Sequence, residues 1–143
     1  MNKNNKYENS LKSNSLNKFP IDIQKQFNKI IPNLKKLQNK DIDIDVKKET
    51  SVQFYNLLLD MFTYSGSNYI LVSDISYLCS DYISELYLYV PMDTKRDMIE
   101  LSDIFIHELD IPLNLSHIAA PELVQKTVKN INRILQEIKK ENL

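Results

Sequence analysis

A chain of 143 residues with a single glycine, Gly66, cannot form the glycine-rich loop that lets backbone N–H groups close around a phosphate. P-loop nucleotide hydrolases and dinucleotide-binding enzymes are excluded on that ground. The length sets a prior of one domain and leaves no room for a two-domain enzyme. The glycine's position also matters. Ser65-Gly66 closes a run in which Val52, Phe54, Tyr55, Leu58, Met61 and Phe62 recur at helical spacing, where a left-handed C-cap needs a residue without a Cβ. At the head of that run, Thr50 and Gln53 have the spacing of a capping box, so the sequence predicts a helix of about four turns from Thr50.

After a loop containing Tyr69 to Val72, Ser73 or Asp74 can cap a second helix. Ile75, Leu78, Cys79, Tyr82, Leu86 and Tyr89 or Val90 form its apolar stripe, and Ile83 and Leu88 widen it, which predicts contact from two sides. Pro91 should end or bend this helix. A polar stretch, Met92 to Asp97, leads to Met98-Ile99-Glu100-Leu101, read as a short extended segment, and Ser102-Asp103 opens a third helix through about Asp110. Pro121 and Glu122 begin a C-terminal helix with a heptad-like seam, Val124, Val128, Ile131, Leu135 and Ile138. With only two heptads, such a helix more often packs on its own domain than forms a free coiled coil. Upstream, residues 1–18 are Asn, Lys and Ser and read as a disordered tail. From Pro20, Ile23, Phe27, Ile30 and Ile31 mark a short amphipathic helix that Pro32 should break or kink before Leu34 and Leu37, and Asp41 to Val46 reads as a linker.

The net charge of −1 hides a strong asymmetry. Residues 1–49 carry 11 Lys against 6 acids, residues 50–120 carry 2 basic residues against 10 acids, and residues 121–143 carry 5 against 3. A segment whose only cations are Lys95 and Arg96 should not bind DNA, because phosphate contacts supply most nonspecific affinity. The longest apolar runs, Leu57–Leu59 and Tyr69–Val72, are far short of the roughly 20 residues of a membrane span. The Met-Asn-Lys-Asn-Asn-Lys start is followed by no apolar stretch of a secretory signal, and the lone Cys79 suits a reducing compartment, so an intracellular protein is expected.

Arg96 to Ile104, with an Arg, an aliphatic pair and an Asp seven positions after the Arg, resembles the second loop of the histone fold. Leu78 to Leu86 is similar to the second helix, and Ser102 to Asp110 followed by Asn114 to the third helix, of the histone-fold TBP-associated factors of the TFIID and SAGA transcription complexes. The similarity spans about residues 50–118, roughly half the chain. It implies an all-α histone fold of short, long and short helices at residues 50–120, flanked by the 1–18 tail, a 19–49 helix and linker, and a 121–143 amphipathic helix. It further implies a loop clamp between Arg96 and Asp103, a nuclear location, and a non-catalytic scaffold that heterodimerises with another histone-fold protein inside a larger transcription complex. The partner interface would comprise Leu58, Phe62, Ile75, Leu78, Tyr82, Ile83, Leu86 and Tyr89.

Reactive residue types have plainer readings. His107-Glu108 lacks a second His one turn on, since position 111 is Ile, so no metal site is expected, and His117 is remote. Cys79 lies on the apolar stripe as a small hydrophobe. Asp74, Asp81 and Glu85 read as a solvated helix face rather than an acid/base set, and Tyr77, Tyr82, Tyr87 and Tyr89, with so little positive charge nearby, as protein interface rather than base-stacking platforms. No catalytic residue, cofactor or small-molecule substrate is implied. The alternative is a monomeric helical-bundle adaptor in which the 20–38 and 121–140 helices close the same apolar surface from within.

Overall fold

Asp43, not Thr50, starts the central helix. In the computed structural model, which describes residues 14–37, 41–66, 68–86, 95–108 and 120–141, the Asp43 carboxylate accepts from the Asp45 N–H at 2.9 Å and caps a 22-residue helix, α2, over Ile44–Ser65. The expected linker at 41–46 therefore gives way to helix in its second half. Ile44 and Val46 are exposed there, so the cap rather than burial holds the first turn, and the expected capping-box residue Thr50 is buried inside the helix. At the other end Gly66 has φ 51° and ψ −119°, and its N–H donates to Phe62 O at 3.0 Å. A positive φ is present as expected. The ψ, however, belongs to the first central position of a type II′ turn rather than to a left-handed cap.

Asn68 likewise moves the start of the next helix. Its side chain accepts from the N–H groups of Ile70 at 3.0 Å and Leu71 at 3.2 Å, so Tyr69–Val72 form the first turn of α3, Tyr69–Leu86, instead of a loop. The helix α1, Ile21–Lys36, buries Ile23, Phe27, Ile30 and Leu34 and runs through Pro32. A proline in a helix interior costs about 3 kcal/mol, whereas burying Leu34 and Leu37 (0% and 3% exposed) contributes about 1.5–3 kcal/mol each, so continuation wins. Before α1, Leu16 and Phe19 are buried and Lys18 Nζ reaches the Asp74 carboxylate at 3.0 Å, so the end of the expected disordered tail packs on the domain. Residues 1–13 lie outside the described residues.

The expected extended segment at Met98–Leu101 is helical. The helix α4, Lys95–Asp103, continues into a π-helical turn at Ile104–Glu108, and Met98, Leu101, Ile104 and Phe105 are buried at intervals of three and four while Ile99 stays about half exposed. An extended chain would have placed Ile99 and Leu101 on one face. The last helix, α5, Ala120–Glu141, buries the expected seam through Val124, Ile131, Leu135 and Ile138, with Val128 half-buried. It also buries Leu123, Thr127, Asn130 and Ile134, a face broader than a coiled-coil seam.

Every element among the described residues is helical. α2 sits at the centre with α1, α3 and α5 packed around it, α4 lies on α5, and the π-helical turn touches α3. The Phe62 and Phe105 rings meet edge-on at 6.1 Å, and Phe54 meets Tyr82 edge-on at 6.4 Å. The chain is all-α.

Candidate interaction surface

The residues expected to face a partner sit mainly in the chain's own core. Leu58, Phe62, Ile75, Leu78 and Ile83 are between 0% and 3% exposed, and Tyr82 is half-buried against Phe54. Phe62 shows what covers them, for its ring packs on Phe105 of the π-helical turn and borders Val124 and Val128 of α5. The Leu86 side chain, Tyr89 and Pro91 lie outside the described residues. The buried stripe of α3 is covered by α2 and the π-helical turn of the same chain, and Leu88 and Val90, expected to widen or extend it, lie outside the described residues.

The Arg96–Asp103 clamp is replaced by different pairs. Both residues lie on one helix, α4, instead of on either side of a loop, and among the described residues they form no ion pair with each other. Asp103 instead faces His107 one turn on at 3.8 Å, while the neighbour of Arg96, Asp97, accepts from Arg133 Nε at 2.8 Å. Arg133 also donates through Nη2 to the buried Asn130, and Glu100 meets Lys126 at 3.8 Å, so α4 and α5 run antiparallel with matched charges. Behind this seam the Tyr55 hydroxyl donates to Met98 Sδ at 2.7 Å. Enclosure by apolar side chains pushes the Tyr55 phenol far above its ordinary range. The Asp97–Arg133 and Glu100–Lys126 pairs fix the register of α4 on α5. Sequence reading missed Asp97, Asn130 and Arg133, because a charged residue 36 positions from its partner leaves no local spacing to detect.

Chemistry-bearing side chains do not converge among the described residues. No group of three or more His, Cys, Asp or Glu residues there can hold a metal ion. Cys79 is buried and outside any disulfide. Asp74 is held by Lys18, and Asp81 is two helical turns away, about 10 Å along the axis. Glu85's side chain lies outside the described residues. A solvent-open groove of about 580 Å³ runs between the end of α2 and the start of α5, floored by Phe62, Val124 and Val128 and rimmed by Lys126 and Lys129.

Apolar side chains are also exposed on α3. Tyr69, Ile70 and Tyr77 are 47%, 65% and 40% exposed, and Ser73, Ser80 and Asp81 share their side of the helix. At about 100° per residue these six positions fall within an arc of about 120°. The opposite side carries Val72, Ile75, Leu78, Cys79 and Ile83, all buried. Tyr64 at the end of α2 is also half exposed, and its ring lies 5.9 Å from that of Phe19. Between Lys48 and Lys95 the sequence has no lysine or arginine, against the six carboxylates of Glu49, Asp60, Asp74, Asp81, Glu85 and Asp93.

No protein-family model, curated protein sequence or solved structure matches this chain. The described helices enclose a buried core, and α3 exposes Tyr69, Ile70 and Tyr77 on the side opposite its buried residues.

Proposed function

We propose that this chain is a non-catalytic helical-bundle adaptor, folding alone and presenting a helix face to other proteins. The observation that carries this reading is the burial of Leu58, Phe62, Ile75, Leu78 and Ile83 by helices of the same chain. A histone-fold subunit of a nuclear TFIID or SAGA assembly is the competing proposal. It is supported by the sequence pattern of residues 50–118 and needs that stripe open to a second histone-fold chain. In the adaptor reading the stripe is already satisfied, and Tyr69, Ile70 and Tyr77 on the other side of α3 supply the contact area. Tyrosine suits that use, since its ring gives apolar area and its hydroxyl tolerates water.

Thermal unfolding of the full chain over a roughly hundredfold concentration range separates the two. A monomeric adaptor has a single sharp transition whose midpoint does not move. An obligate heterodimer subunit studied alone aggregates, or shows a midpoint that rises with concentration, and either result would remove the adaptor reading.

A further inference from the structure

We propose that the outward face of α1 docks the phosphate backbone of a nucleic-acid duplex, bound as a polyanion and not by its base sequence. The inference goes beyond the adaptor reading by adding a second class of partner, and it needs α1 to stay packed on α2. Ile23, Phe27, Ile30 and Leu34 turn the apolar side of α1 into the core, which leaves Lys25, Lys29, Lys35 and Lys36 exposed. At about 100° and about 1.5 Å per residue, Lys25, Lys29 and Lys36 form a row about 16 Å long within an arc of about 40°. None of the four lysines forms an ion pair among the described residues, whereas Lys18, Lys126, Arg133 and Lys140 all do. Asp22 is the one acid on α1. On the α2 side, Asp60 accepts from Gln26 at 3.2 Å and Glu49 from Gln53 at 3.5 Å. The wider sequence strengthens the field, since residues 1–40 carry nine lysines against Glu8 and Asp22. All four exposed cations precede the acidic segment at 50–120.

The rest of the face selects among polyanions. A helix that binds an anionic membrane also sinks an apolar side into the lipid, and the apolar side of α1 is already buried in the core. A protein partner is held by aromatic and aliphatic anchors, yet the outward residues between the lysines are Asn28 and Pro32. Single-stranded nucleic acid stacks its bases on aromatic rings, and the one aromatic residue of α1, Phe27, is buried. A duplex asks only for spaced cations and hydrogen-bond donors at its phosphates. One strand presents a phosphate about every 3.4 Å of duplex axis, so the lysine row faces about five of them. Beside Lys29, an open groove of about 250 Å³ between α1 and α2 is lined by Gln26, Gln53 and Asn56 over Ile30. Its amides place donors next to the cations.

The test uses the full chain with fluorescent DNA and RNA duplexes of about 20 base pairs, followed by anisotropy between about 50 and about 200 mM salt. Binding of either duplex sustains the proposal, the tighter one identifies the source, and binding of neither overturns it. Two unrelated sequences should bind alike. The triple variant Lys25→Gln, Lys29→Gln, Lys36→Gln removes three phosphate contacts, each contributing about 0.9 to the slope of log affinity against log salt on DNA. The rise in salt should therefore weaken the parent about 40-fold more than the variant, which at the lower salt should already bind about tenfold or more weakly. Lys129→Gln, Lys139→Gln, Lys140→Gln on α5 makes the same charge change at exposed positions and should keep the parent's slope. The arginine counterpart, Lys25→Arg, Lys29→Arg, Lys36→Arg, keeps the cations and should bind at least as tightly as the parent. Circular dichroism checks that each variant stays helical. Full affinity in the folded glutamine variant, an equal loss in the α5 variant or lost binding in the arginine variant would each overturn the proposal. So would tighter binding of a single strand of the same length, or equal binding of phosphatidylserine vesicles or of polyglutamate. An oligomeric chain removes the adaptor reading and leaves these outcomes as they stand.

Discussion

Ile134→Ala tests whether α5 is part of the fold. Ile134 lies on the buried side of α5 with no exposed surface, next to the equally enclosed Ile131 and Ile138. The substitution removes three carbons, worth about 2.4 kcal/mol at about 0.8 kcal/mol per buried carbon. The cavity left behind raises the total into the range of about 2–5 kcal/mol. For a chain of this size that corresponds to a fall in thermal midpoint of about 6–20 °C, still short of unfolding a domain that starts with about 5–15 kcal/mol. Gln136→Ala, two residues on and exposed, should stay within about 0.5 kcal/mol of the parent. Urea unfolding followed by circular dichroism reads both. If Ile134→Ala is as neutral as Gln136→Ala, α5 does not close the core, and residues 121–143 become the appendage that a histone-fold subunit would carry.

Three further outcomes follow from individual contacts. A double-mutant cycle on Asp97 and Arg133 should show a coupling of about 0.2–1 kcal/mol, as a half-exposed ion pair gives, while Arg96 and Asp103 should be additive; the reverse pattern would restore the loop clamp. Gly66→Ala should destabilise by about 1–3 kcal/mol through the backbone alone, because φ is +51° and an added Cβ meets nothing within 4 Å; a neutral result in urea unfolding would mean that the turn relaxes. The buried Tyr55 phenol keeps its proton when the unfolded chain has lost it, so its stabilisation is full below about pH 10 and is lost as pH rises further. Replacing Tyr55 with Phe should therefore flatten the fall in thermal midpoint between about pH 9 and pH 11, and an unchanged slope would place the phenol at the surface.

Periodicity alone makes the buried faces of α2 and α3 legible in the sequence. Leu58, Phe62, Ile75, Leu78 and Ile83 repeat at helical spacing, and all are buried. What periodicity does not carry is the identity of the cover. An apolar stripe states that something must lie against it, and whether that is another chain or α1 and α5 depends on tertiary geometry that no local spacing encodes. Helix starts are hard to place for a different reason. Asp43 and Thr50, like Asn68, Ser73 and Asp74, are all competent caps, and the earlier residue takes the role each time because it adds turns of backbone hydrogen bonding at little cost. At Met98-Ile99-Glu100-Leu101, four residues are too few to separate a period of 2 from one of 3.6. The helix is decided by Ile104 and Phe105, which continue the buried side of Met98 and Leu101. The candidate surface is hidden from sequence reading because Tyr69 and Ile70 look like loop residues until Asn68 is recognised as the cap.

Everything proposed for this chain depends on its own helices enclosing its core. Hydrogen exchange of the full chain at low protein concentration tests that enclosure at the backbone. Amides of residues 128–138 on α5 should be protected to the same level as those of residues 54–62 on α2, both opening only with global unfolding. Exchange of the α5 amides at rates close to those of an unstructured peptide, with α2 still protected, would contradict it.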